Sequence, residues 1–147
     1  MKRLALLLVA VLVLAACGGS SSLSKPAYDQ HLQADGNSVQ KSVTGITKSP
    51  ASLAAFVKSV DAAETAVNAA ADDLEKIKPP KDAVADNAAI VAAFRAISAA
   101  LEQVKTNPAG AAGIVSKLES SAEVKAAEKA TADLKSKGYK VGVIGAP

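Results

Sequence analysis

Cys17 is the only cysteine in the chain and His31 the only histidine. A lone thiol is a nucleophile, a metal ligand or an acylation site, and a lone imidazole is a base, a ligand or a proton sensor near neutral pH. Neither has a partner of the kind that completes a metal or haem site, because the single methionine is Met1. His31 lies three residues from Tyr28, beside an apolar stripe rather than on it, and reads as a partly solvated surface residue. Asp72-Asp73, Asp82 and Asp86 gather around Pro79-Pro80. A calcium loop needs alternating oxygen ligands and a glycine turn, which this stretch lacks. With Lys76, Lys78 and Lys81 interleaved, it reads as mutually screened surface charge. Asn87 falls in phase with the apolar residues that follow it. There it would set helix register, bond a buried ligand or sit at a solvated end. The Glu-x-x-His pairs of di-iron bundles do not occur. Nor does a glycine-rich phosphate loop, a nucleophile elbow or a defined pair of catalytic carboxylates. No residue is assigned to catalysis, cofactor binding or metal binding, and the expectation is a protein that is not an enzyme.

Cys17 has a more telling context. It follows Met1-Lys2-Arg3, an unbroken apolar run of 11 residues from Leu4 to Leu14, and Ala15-Ala16. A basic start, a short apolar core and small residues before a cleavage point make a secretory leader. The core is too short to span a bilayer, which takes roughly 20 apolar residues. Leu14-Ala15-Ala16-Cys17, with Gly18 next, resembles the lipobox of bacterial lipoproteins. The resemblance implies that residues 1–16 are removed and that Cys17 becomes the first residue, carrying diacylglycerol on the extracytoplasmic face of the cell membrane. The alternative is an incidental cysteine in an ordinary secreted protein. Residues 17–24, with Gly18-Gly19-Ser20-Ser21-Ser22, then read as a flexible lipidated tether. The tether itself contains neither Lys nor Arg before Lys25 and so adds no attraction of its own to anionic lipid.

Loss of residues 1–16 also removes Lys2 and Arg3, leaving 131 of the 147 residues and 15 basic against 14 acidic side chains. The sequence pI near 9.0 is thus partly a property of the leader. A near-neutral body argues against nucleic acid as a partner, since phosphate binding needs a net basic face. The remaining length suffices for one domain with its own core.

Alanine, the strongest helix former, dominates that body. Leu53, Phe56, Val60, Ala63, Val67, Ala70, Leu74 and Ile77 alternate in steps of three and four, a single stripe on a long helix. Ser49 with Pro50 suits its start, and Pro79-Pro80 ends it. Ala83, Asn87, Ile90, Phe94, Ile97, Leu101 and Val104 repeat the pattern, with Asp82 as a cap and Asn107-Pro108 as the stop. Upstream, Tyr28, Leu32, Val39, Val43 and Ile46 share one face of a helix that starts near Ser24. Gly36 interrupts that face without shifting its phase, so one continuous helix is expected, with a break at Asp35-Gly36-Asn37 as the alternative. After Asn107 the pattern weakens, with Gly110 and Gly113 in a short helix to Leu118. Ser120 and Glu123 resemble a capping box for a last helix striped by Val124, Ala127, Thr131 and Leu134. Gly138 suits the left-handed position after it, where Tyr139 would fold back.

The expected fold is all-α: an up-down-up-down four-helix bundle over residues 25–138, with its fourth arm broken into a short helix and a terminal helix, and a tail at 139–147. Tyr28, Phe56 and Phe94 belong to its core. The layout is similar to small helical lipoproteins of bacteria. The function expected is a binding, adaptor or spacer module at the cell envelope. It would be held to the membrane through Cys17 and would contact an envelope protein or wall polymer. The alternative is a carrier of a small apolar ligand between helices, which a dry inter-helix cavity would favour.

Overall fold

The computed structural model describes residues 21–47 and 51–142. The leader, Cys17, the first residues of the tether, Ser49-Pro50 and residues 143–147 lie outside the described residues. Within them all regular structure is helical. The helices are α1 (Lys25–Thr47), α2 (Leu53–Lys76), α3 (Val84–Thr106), α4 (Ala111–Glu119) and α5 (Ala122–Ser136). Short 3-10 turns, Lys81–Ala83 and Pro108–Gly110, lead into α3 and α4.

Each helix forms where its stripe and its end signals agree. α1 runs unbroken through Gly36, which is buried, so the phase of its apolar face decides over glycine's poor propensity. α2 is capped by Ser52, whose side chain accepts from the Ala55 N–H, three residues beyond the expected Ser49. Asn107 caps the turn into α4 by accepting from the Gly110 N–H. At α5 the cap is Ser121, accepting from Val124 N–H, and not Ser120, whose hydroxyl instead donates back to Ser116 and Lys117 carbonyls. Asp82 does not cap α3; it lies inside the 3-10 turn and accepts from the Tyr139 hydroxyl. Gly138 takes φ +75°, the left-handed conformation that ends α5 without a Cβ clash.

α2 packs between α1 and α3, and α3 packs between α2 and α5, with α4 against α3. The enclosed core draws Tyr28 and Leu32 from α1, Val67 and Leu74 from α2, Ile90 and Phe94 from α3, and Leu134 from α5. Lys81–Thr106 is long and apolar enough to cross a membrane by length and composition. Its apolar residues nevertheless supply the centre of this core, and Arg95 on it is ion-paired to α2.

The stripes do not bury evenly along their length. On α2, Val60 to Leu74 are enclosed, whereas Leu53 is 65% exposed and Phe56 is only half-buried. Phe56 is therefore not a core residue, as its phase suggested: α1 and α3 cover the second half of α2 better than its first turns. None of the residues of α4 is buried, consistent with its two glycines and short length. The segment after α5 is placed against α1. Tyr139 is buried, its ring meeting Tyr28 edge-on at 5.8 Å, and Lys140 N–H donates to Asp29 Oδ1 at 3.0 Å. Gly142 lies so close to α1 that a Cβ there would stand 3.0 Å from the Leu32 carbonyl oxygen.

Candidate functional site

The described chain begins beside the turn that joins α2 to α3. Leu23 N–H donates to the Lys78 carbonyl at 2.7 Å, which fixes the place from which the chain continues toward Cys17. The same end of the molecule holds the start of α1, the start of α3 and the finish of α5. Lys137, just past α5, donates to the Asp82 carbonyl at 2.6 Å and pairs with Asp86 and Asp133. Those two carboxylates raise its pKa. Lys25 donates to the Lys137 carbonyl and sits 4.5 Å from the centre of the Tyr139 ring, a cation over a π face. Tyr139 is pushed up to about 12 by burial and by its bond to the Asp82 carboxylate.

The acids around Pro79-Pro80 do not form one group. Asp72 and Glu75 hold Arg95 at 2.6 and 2.7 Å, and that guanidinium lowers the Asp72 pKa. Asp73 turns the other way, to His31 Nδ1 on α1. Asp82 goes to Tyr139 and Asp86 to Lys137. Their bonded partners are thus Arg95, His31, Tyr139 and Lys137, all distant in sequence, with the Lys76 charge adding to that of Arg95 at Asp72. Among the described residues no group of three His, Cys, Asp or Glu side chains is arranged to hold a metal ion.

Asn87 is buried and fully engaged. Its Oδ1 accepts from the Tyr28 hydroxyl at 2.9 Å, and its Nδ2 donates to the Leu74 carbonyl at 3.0 Å. One amide therefore ties α3 to both α1 and α2, and of the roles open to it the register-setting one fits. Burial, aided by the nearby Asp86 charge, raises the Tyr28 pKa and keeps the phenol protonated as the donor.

His31, Asp35 and Asp73 converge between α1 and α2. His31 is partly solvated, its side chain 34% exposed, in keeping with its position beside the stripe. Asp35 Oδ2 is buried without a hydrogen-bond partner. Burial first, and then the Asp73 charge, raise the Asp35 pKa to about 6. A proton on Asp35 lets it donate to Asp73 and converts repulsion into a bond. In the unfolded chain this carboxyl titrates near 3.8. The folded state therefore binds the extra proton, and its contribution is full below that value and is lost as pH rises through about 6. Urea titrations should show stability falling between about pH 4 and pH 6, and Asp35→Asn should flatten that fall. An unchanged slope in the variant would show that Asp35 is not its source.

At the far end, Lys105 near the close of α3 pairs with Asp61 and Glu64 in the first half of α2, and with Glu102. Beside it an open depression of about 860 Å³ is floored by Leu53, Ala54 and Val57. A second, of about 430 Å³, lies between α3 and α5 against Ala85, Ala89 and Ala126. Both open to solvent.

No protein-family model matches the chain, and neither a curated protein nor a solved structure shows significant similarity to it.

Proposed function

We propose that this chain is a lipid-anchored, extracytoplasmic helical module that acts by contact, as a binding, adaptor or spacer element at the bacterial cell envelope. The observation that carries this reading is Leu14-Ala15-Ala16-Cys17 behind a basic start and a short apolar core. A second support is the position of Leu23, which lets the chain leave for Cys17 from one end of the helical body. The body reads as an up-down-up-down four-helix bundle, with α4 and α5 as the two pieces of the fourth arm. In that arrangement Asn87 near the start of α3 meets the end of α2, and Lys105 near its finish meets the first half of α2.

The contact surface lies away from the attachment end. Val84, 54% exposed, opens α3 at the attachment end, but away from it Leu53 is 65% exposed, with Phe56 and Val57 half-buried beside it. An envelope protein or wall polymer would cover these apolar groups. The carrier reading is less well supported, because a small apolar ligand needs a site that excludes water. The two depressions above are open on one side.

Cys17→Ser should release the domain from membranes into the soluble fraction and abolish lipid labelling. One acyl chain alone holds a protein only marginally, so the two chains of a diacylglycerol are what make attachment durable. Unchanged membrane fractionation of that variant would remove the lipoprotein reading. Crosslinking in intact cells, followed by identification of the captured chains, names the partner.

A further inference from the structure

The chain leaves toward Cys17 at a place where lysines from four separate segments converge. Lys78 lies at the exit itself, bonded through its carbonyl to Leu23 N–H. Lys76 closes α2, and Lys81 opens the 3-10 turn before α3. Lys135 and Lys137 come from the finish of α5, Lys137 reaching the Asp82 carbonyl across to that same turn. Lys140 arrives on the tail, placed by its N–H bond to Asp29, and Lys25 opens α1.

The carboxylates at this end are largely turned to other work. Asp29 and Asp86 are buried. Asp86 and Asp133 share Lys137, Asp82 accepts from Tyr139, and Glu75 holds Arg95. Lys76, Lys81, Lys135 and Lys140 are exposed, and none makes an ion pair among the described residues. The far end differs: Lys105 there is surrounded by Asp61, Glu64 and Glu102.

We propose that this lysine-rich end is a docking surface for anionic lipid headgroups, which seats the helical body on the membrane. The proposal rests on attachment through Cys17. Five residues lie between Cys17 and Leu23, a span of six steps that reaches at most about 20 Å when fully extended. So short a tether holds the basic end beside the bilayer to which it is fixed. Electrostatic attraction is screened over about 8 Å at physiological salt, so the lysines act by touching the headgroup layer. Lysines near an anionic surface add their attractions, and no aromatic or apolar insertion is needed. The uncharged tether thus owes its electrostatic help to residues distant in sequence. Seated this way, the body presents Leu53 and α4 away from the membrane.

The test couples the chain from Cys17 onward, through its single thiol, to maleimide-bearing lipid in vesicles of phosphatidylcholine with or without phosphatidylglycerol. The buried core lies between Tyr28 and Tyr139, so this chain keeps all of it. A membrane-impermeant amine reagent then labels the lysines, which are read by mass spectrometry. On anionic vesicles Lys76, Lys81, Lys135 and Lys140 should label more slowly by about three-fold or more, and high salt should restore them. Lys58, Lys117 and Lys125 should label alike on both. Equal labelling of the first set on both vesicle types overturns the proposal, as does protection spread evenly over both sets. Since the coupling is chemical, the result is independent of whether the cell acylates Cys17, and lipid labelling of the intact protein decides that point separately.

Discussion

Phe94→Ala should destabilise the folded chain by about 3–5 kcal/mol, the usual cost of a large aromatic truncated inside a core. Phe94 is 1% exposed and belongs to the cluster in which α1, α2, α3 and α5 meet. Ala70, Ala71, Ala83 and Ala130 stand in that cluster among its larger members. Alanines let helices approach closely but cannot move to fill a space left by a lost ring. The cavity would therefore persist, which places the cost in the upper part of the range. Small domains are stable by only about 5–15 kcal/mol in all, so the variant should show a much lower urea midpoint. A loss under about 0.5 kcal/mol, the size of a surface substitution, would mean that the ring is not enclosed.

The second large effect belongs to Asn87. Removing its amide by Asn87→Ala leaves the Tyr28 hydroxyl and the Leu74 carbonyl without their partners. A buried polar group left unsatisfied costs about 1–3 kcal/mol, and two are affected here. The expected loss is about 2–5 kcal/mol, well beyond that of an exposed helical asparagine. The sharper check is a double-mutant cycle with Tyr28→Phe. Once Asn87 is gone, removing the hydroxyl should cost little or restore some stability, because it no longer lies buried and unbonded. Strictly additive losses would mean that the two side chains do not share a bond.

The residues involved show how much of this was legible in the sequence. Periodicity identified the faces that bury: Val60 to Leu74 on α2, Ile90 and Phe94 on α3, and Ala127, Thr131 and Leu134 on α5 are enclosed as their spacing implied. Periodicity is a property of one helix, however, and does not say how far along that helix a neighbour extends. Leu53 and Phe56 are in phase with the core, yet Leu53 is exposed and Phe56 only half-buried. Local end signals were readable to within a few residues. Asn107 and Gly138 perform as their types suggest, whereas the caps moved from Ser49 to Ser52 and from Ser120 to Ser121. Each shift is small because neighbouring serines compete for the same N–H groups.

What stayed hidden was pairing over long sequence separation. Asp72 and Asp73 are adjacent, yet one reaches Arg95 on α3 and the other His31 on α1. Adjacent residues on a helix point about 100° apart, so two neighbouring acids meet different helices. Lys76, Lys78 and Lys81 seemed matched to those acids by proximity in sequence. Packing gives the acids hydrogen-bond partners distant in sequence, and the three lysines stand around the exit toward Cys17. Tyr139 shows the same limit: nothing near it in sequence reveals that Tyr28 and Asp82 form its pocket.

The attachment reading meets its most direct test in the mass of the mature N-terminus. Protein extracted from the membranes of the producing cell should yield an N-terminal peptide that begins at Cys17 and carries the mass of a diacylglycerol thioether. A chain that retains residues 1–16, or one that begins at Cys17 with an unmodified thiol, would contradict it.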